Sequence, residues 1–328
     1  RQLLDFCERE GIPHEICGKI VVATREQELL RLEELHQRGV ANGLTGLKKF
    51  SPEEIREIEP HCAGIRGLYV PQTGIVDYRA VAAKYAEKAL NLGAEIRCRH
   101  PVTQIQKSDN GVEVVANGKG FAGRQLLTCG GLQSDRLARF TSPDIDLRII
   151  PFRGEYYKLK PSAQGLVRHL IYPVPDPAFP FLGVHFTRMI NGGVECGPNA
   201  VLAFAREGYH KNDFCFSDMC EIMAWPGFRK VVTKYWRTGL GEFYRSFIKG
   251  AFVQALQRLM PEIRAADLEF GGAGVRAQAC SRDGGLVDDF YIFEDGPTMH
   301  ICNAPSPAAT ASLAIGASIA DRYVSKIK

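Results

Sequence analysis

The chain has 328 residues, 45% hydrophobic and 24% charged, an ordinary globular composition that excludes a disordered chain. A net charge of +4 is too small over that length to argue for nucleic acid. No apolar run reaches the roughly 18 residues of a membrane span, and the ten cysteines lack zinc-ligand spacing, so reduced thiols and no metal site are expected.

The length predicts two domains. Arg1 already lies in a helical pattern that puts Leu3, Leu4 and Cys7 on one face, so an upstream segment is expected; Gly11 and Pro13 stop the helix. Lys19–Thr24 reads as a strand and Glu26–Gln37 as a helix through Leu29, Leu32 and Leu35. Ser51-Pro-Glu-Glu54 is a capping box with proline at the first helical position. Strand 68–70 leads to Thr73-Gly-Ile-Val-Asp77, where Asp77 caps a helix over 78–90. Strands are predicted over 94–98, 102–106, 112–116 and 125–129, with Asn110-Gly111 as a hairpin turn. Residues 149–204 read mostly as strand, 217–260 as helix, and the rest as strand then helix.

Gly118-Lys-Gly-Phe-Ala-Gly123 matches G-x-G-x-x-G, but a strand rather than a helix follows it, so a β-turn is expected. In Gln125–Asp135 an apolar strand runs into Gly130-Gly131 and then a helix capped by Ser134 or Asp135. Such a turn lets a cofactor approach the backbone, and a plain tight connection explains it equally. Asn303–Gly316 opens a helix with prolines and small residues, a bare surface suited to a planar, negatively charged cofactor or to close helix packing. Arg276, between apolar neighbours, is expected to be buried and to hold an anion, either a ligand or a structural partner. His185 and His300 lie in apolar strands, as core histidines or as bases. Between Trp225 and Lys249, aromatic and basic residues alternate. Helices covering a core are the preferred reading, and an anionic membrane surface is the other.

Several motifs resemble the L-2-hydroxyglutarate dehydrogenase family of the D-amino-acid oxidase-like superfamily. They are Thr73–Tyr78, Pro151-Phe-Arg-Gly-Glu155, Ile171–Asp176, Phe179–Thr187, Gly197–Phe204, Gly274–Ala279 and Asn303–Thr310. The resemblance covers essentially the whole chain. It implies α/β and α+β architecture: a glutathione-reductase-type FAD-binding domain, without its N-terminal β-α-β unit in this chain, and an antiparallel-sheet substrate domain. The expected division assigns 1–66 and 149–268 to the substrate domain, and 67–148 and 269–328 to the FAD domain. The implied reaction is oxidation of L-2-hydroxyglutarate to 2-oxoglutarate, with electrons passed to a membrane quinone-type acceptor. Without the β-α-β unit, poor FAD binding is expected.

On that basis Arg276 clamps the substrate carboxylate. His185, or else His300, takes the hydroxyl proton, with His300 and Asn303 as hydrogen-bonding partners. Arg153, Tyr172 and Asn199 are candidates for the second carboxylate. Val102, Thr128, Gly130 and Gly131 line one flank of FAD, and Ala304, Pro305, Ser306, Pro307, Ala308, Ala309 and Thr310 the other. The implied location is the cytoplasm, peripheral to the inner membrane, or the mitochondrial matrix. The rival readings are an amine or amino-acid oxidase of the same superfamily, and a non-catalytic remnant acting as a binding module.

Overall fold

The computed structural model describes residues 1–176, 183–304 and 307–324. Its largest element is a nine-stranded sheet. In order, its strands are Val201–Leu202, Leu147–Leu159, Val194–Gly197, His185–Arg188, Leu170–Pro173, Lys19–Ala23, Arg66–Val70 and Lys48–Phe50, with Leu268–Ser281 along the other edge of Leu147–Leu159. Neighbouring strands are antiparallel except Leu170–Pro173 and Lys19–Ala23. The sheet therefore draws on segments from both sides of the expected boundaries at 66/67 and 268/269.

Strand alternation sends successive side chains to opposite faces. On one face Ile20, Val22, Ile171, Phe186 and Cys196 meet Phe252 and Leu256 of helix Lys249–Gln257, all at 1% exposure or less. Each such side chain contributes on the order of 1.5–3 kcal/mol. That face is closed. On the other, Val21, Ala23 and Leu68 pack on Leu32 of helix Leu29–Ala41 at one end, and Ile150 packs on Trp225 and Phe228 at the other. The polar side chains of this face lie between those two ends.

A second sheet holds Tyr291–Asp295, Thr298–Asn303 and Leu126–Thr128, the last two parallel. Val102–Ser108, Gly111–Ala116 and Lys119–Gly123 form a meander, so the G-x-G-x-x-G match is a turn and a strand. The strand expected over 94–98 is absent and those residues are exposed. Extended chain without a neighbouring strand to pair with does not form a ladder.

The helix starts follow the sequence closely. Ser51 accepts from the Glu54 amide while Glu54 accepts from that of Ser51, and Asp77 accepts from the amides of Arg79 and Ala80. Neither Ser134 nor Asp135 caps its helix. Ser134 donates to the Cys302 carbonyl, and Asp135 takes a bidentate pair from the buried Arg206 (2.7 and 2.8 Å) and the Ile149 amide.

The basic, aromatic stretch forms helices Phe216–Ala224, Pro226–Phe247 and Lys249–Gln257. The covering-helix expectation holds for its inner side only. Trp225, Phe228 and Val231 pack on Ile150 and Cys280, whereas Trp236, Tyr244 and Phe247 stand 52%, 62% and 66% exposed.

Candidate active site

The same face of the nine-stranded sheet carries a row of polar side chains, one strand after another: Lys19, Tyr172, His185 with Thr187, Glu195, Tyr156 and Arg276. His185 stacks on Tyr172, with ring centroids 4.0 Å apart and planes 20° from parallel. Its Nδ1 lies 2.9 Å from the Gly183 carbonyl. A carbonyl can only accept, so Nδ1 carries the proton and Nε2 presents its lone pair. Burial, followed by the nearby positive charge of Lys19, outweighs the Gly183 bond and pushes this imidazole down to about 4. It is a neutral base at physiological pH.

The neighbours are tuned in the same sense. Burial raises the Tyr172 phenol, against a hydrogen bond with Thr187 that lowers it. Burial, Glu195 and Tyr172 raise the Tyr156 phenol, against the charge of Arg276. Burial also raises Glu195. These couplings bring Arg276 within electrostatic reach of Tyr156, and Tyr156 within reach of Tyr172. The row offers a guanidinium for an anion, phenols that stay protonated as donors, and an imidazole able to take a proton.

Arg276 was expected to be buried, and it is exposed. It pairs with Phe152 on the marginal strand Leu268–Ser281, where apolar sequence neighbours do not imply cover. His300 does not join His185. It is fully buried in the three-stranded sheet, with Nδ1 2.9 Å from the Thr128 hydroxyl and Nε2 2.9 Å from that of Thr141. The contact occupies Thr128 as well. Asn303 donates to the Val287 and Asp289 carbonyls (3.1 and 2.7 Å). Arg153 and Asn199 are also engaged internally. Arg153 pairs with Glu155 at 3.0 Å, and the other carboxylate oxygen of Glu155 accepts from Asn199 and Ser246 (3.2 and 2.7 Å). Of the three candidates for a second carboxylate, Tyr172 alone faces the row.

Lys19, Tyr156, Thr187 and Glu195 escaped the sequence reading. A lone cation opening the apolar run Lys19-Ile-Val-Val-Ala23 is a local signal for the first. Nothing local joins the others, because their proximity depends on strand order. A cavity of about 680 Å³ is lined by Thr24–Glu34, Pro173–Asp176, Gly183, Asn199 and Thr238–Arg245; none of the row's side chains lines it.

The FAD dependent oxidoreductase family model matches residues 1–322. An L-2-hydroxyglutarate dehydrogenase of Indibacter alkaliphilus is 53% identical, over 98% of this chain and 80% of its own length. The enzyme of that name from Escherichia coli K12 is 45% identical, over 97% and 75%. The chain belongs to the FAD-dependent oxidoreductases, among the L-2-hydroxyglutarate dehydrogenase family. The fold agrees with FAD-bound L-alpha-glycerophosphate oxidase from Mycoplasma pneumoniae, with a TM-score of 0.71, 21% identity, and coverage of 93% of this chain and 72% of that one.

The described residues of this FAD-dependent oxidoreductase fit a flavin at one place. Strands Leu126–Thr128 and Thr298–Asn303 are parallel neighbours, with Thr128 opposite His300. The loops leaving their C-terminal ends, at 129–131 and from 304 onward, emerge side by side, where α/β sheets bind ligands. Gly131 is exposed at φ +53°, with open space where a Cβ would stand. Ala304, Pro307, Ala309 and Thr310 are exposed, Ala308 half-buried and Val102 37% exposed, which leaves backbone and small side chains for a cofactor to cover. Gly130 has a local reason as well, since a Cβ there would come 2.6 Å from Leu137. Tyr78 hydrogen-bonds Thr310 at 2.9 Å. Pro305 and Ser306 lie outside the described residues.

Proposed function

We propose that the chain oxidises L-2-hydroxyglutarate to 2-oxoglutarate. The observation that carries this reading is the neutral His185, its tautomer set by Gly183, on the sheet face that also presents Arg276. The substrate is the one in the names of the relatives. Bound FAD supplies the acceptor for the hydride that leaves C2. Gly130, Gly131, Val102 and the loop from Ala304 to Thr310 would hold the cofactor, and amides of that loop would stabilise its negative charge.

Arg276 binds the C1 carboxylate and fixes C2 relative to the base. His185 Nε2 accepts the hydroxyl proton as the O–H bonding pair becomes the new carbonyl bond. Tyr172 and Tyr156, held protonated, donate to the substrate oxygens. Residues 1–66 and 149–268 form the substrate side and 67–148 with 269–328 the flavin side, with strands Arg66–Val70 and Leu268–Ser281 lent to the substrate sheet. A panel of L- and D-2-hydroxyglutarate, L-lactate and L-glutamate, assayed on flavin-loaded protein with an electron-accepting dye, tests the reading. L-2-hydroxyglutarate is expected to dominate in kcat/KM. Preference for L-glutamate would overturn it.

Electrons pass on to a membrane quinone-type acceptor, with the protein lying against the bilayer. Among the described residues no helix is long and apolar enough to cross a membrane. Helix Pro226–Phe247 instead exposes Val232, Trp236, Leu240, Tyr244 and Phe247 beside Arg229, Lys230, Lys234 and Arg237, a combination suited to an anionic interface. The combined substitution Trp236→Ser, Leu240→Ser and Phe247→Ser is expected to abolish sedimentation with anionic vesicles and spare dye reduction. Unchanged sedimentation would refute this docking face.

A further inference from the structure

A 2-hydroxydicarboxylate brings two carboxylates, and Arg276 accounts for one. Arg153 and Asn199 are committed to Glu155, which leaves the second anion to be matched elsewhere on the sheet face. Lys19 opens strand Lys19–Ala23, paired with Leu170 on one side and Val70 on the other. Its Nζ sits 5.2 Å from the Tyr172 ring centroid, and that ring stacks on His185. Lys19, Tyr172 and His185 thus come from three adjacent strands, with the tyrosine between the other two.

Lys19 is half-buried, and burial lowers its ammonium below the usual lysine range. Among the described residues no carboxylate makes an ion pair or hydrogen bond with it. The Tyr172 π-face compensates only in part. A desolvated cation without a counter-ion is costly, and an incoming anion offsets that cost.

We propose that Lys19 is the subsite for the second carboxylate of the substrate, on the His185 side of the sheet face, and that it sets the preference for dicarboxylates over monocarboxylates. This rests on the 2-hydroxy-acid reading above. It also links recognition to proton transfer. The positive charge of Lys19 disfavours the imidazolium of His185. A carboxylate seated on Lys19 screens that charge and makes His185 a better proton acceptor when the dicarboxylate is bound.

The test compares L-2-hydroxyglutarate with L-2-hydroxypentanoate, which has the same five-carbon chain without the distal carboxylate, on flavin-loaded wild type, Lys19→Met and Lys19→Arg. Lys19→Met is expected to lower kcat/KM for the dicarboxylate roughly 10- to 100-fold, mainly through KM, the size of a lost charge-assisted hydrogen bond. The monocarboxylate should show no such rise in KM, and Lys19→Arg should restore most of the preference. Calorimetry with glutarate gives a readout independent of turnover, with binding weakened in Lys19→Met. An unchanged substrate ratio, or an equal loss for both substrates, would overturn the subsite. Wild-type protein that prefers neither hydroxy acid over amino acids would overturn the underlying reading, and the subsite with it.

Discussion

The Nδ1 bond of His185 to the Gly183 carbonyl favours the protonated ring, and burial outweighs it. The fold pushes this imidazole from 6.5 to about 4. Between those values the unfolded chain binds the proton that the folded chain refuses. The contribution is therefore fully present above pH 6.5 and is lost as pH falls toward 4. Denaturant midpoints at pH 7 and pH 5 should show wild type losing on the order of 2 kcal/mol more than His185→Asn; parallel losses would place the imidazole in water. His300 is the contrasting case. Both its ring nitrogens are occupied by hydroxyls, so His300→Ala should cost about 1–3 kcal/mol for each orphaned partner while leaving kcat near wild type. A collapse of kcat in a stably folded His300→Ala would return His300 to the chemistry. Sequence could not separate the two histidines, since each sits in an apolar strand. What distinguishes them is a carbonyl two residues away for one and two distant threonines for the other.

Elements whose signals are local were legible. The Ser51–Glu54 capping box and the Asp77 cap each depend on residues within one turn of chain, whereas the hairpin expected to turn at Asn110-Gly111 turns one residue earlier, at Asp109-Asn110, with Gly111 already paired to Ser108. Elements that need a partner were not. The 94–98 segment has strand chemistry and no ladder, and Arg276 has apolar neighbours and no cover. Asp135 looked like a helix cap because its real partner, Arg206, lies 71 residues on. That pair joins helix Ser134–Arg139 to the segment before helix Phe216–Ala224. Arg206→Ala should cost about 3–5 kcal/mol by stranding the Asp135 carboxylate, and Arg206→Met with Asp135→Leu should recover much of it. Thermal melts of the two variants check this, and equal losses would mean that the pair contributes no more than packing.

At the scale of the whole molecule, the proposed function rests on two surfaces. One is the face of the nine-stranded sheet that carries Arg276, Tyr156, Tyr172, His185 and Lys19. The other is the paired loop ends after Leu126–Thr128 and Thr298–Asn303, built from glycine, alanine and proline. The bare backbone that follows two apolar strands was legible at Gly131 and Ala304. Most of the polar row was not, because it is assembled from six strands spread between residues 19 and 281. The central claim is that His185 takes the substrate proton on this face. Its most direct test is an anaerobic stopped-flow record of flavin bleaching by L-2-hydroxyglutarate, for flavin-loaded wild type and His185→Asn. The account predicts bleaching in both, slower in the variant by roughly 10²- to 10⁴-fold, with the concentration dependence little altered. A variant that bleaches at the wild-type rate would contradict it.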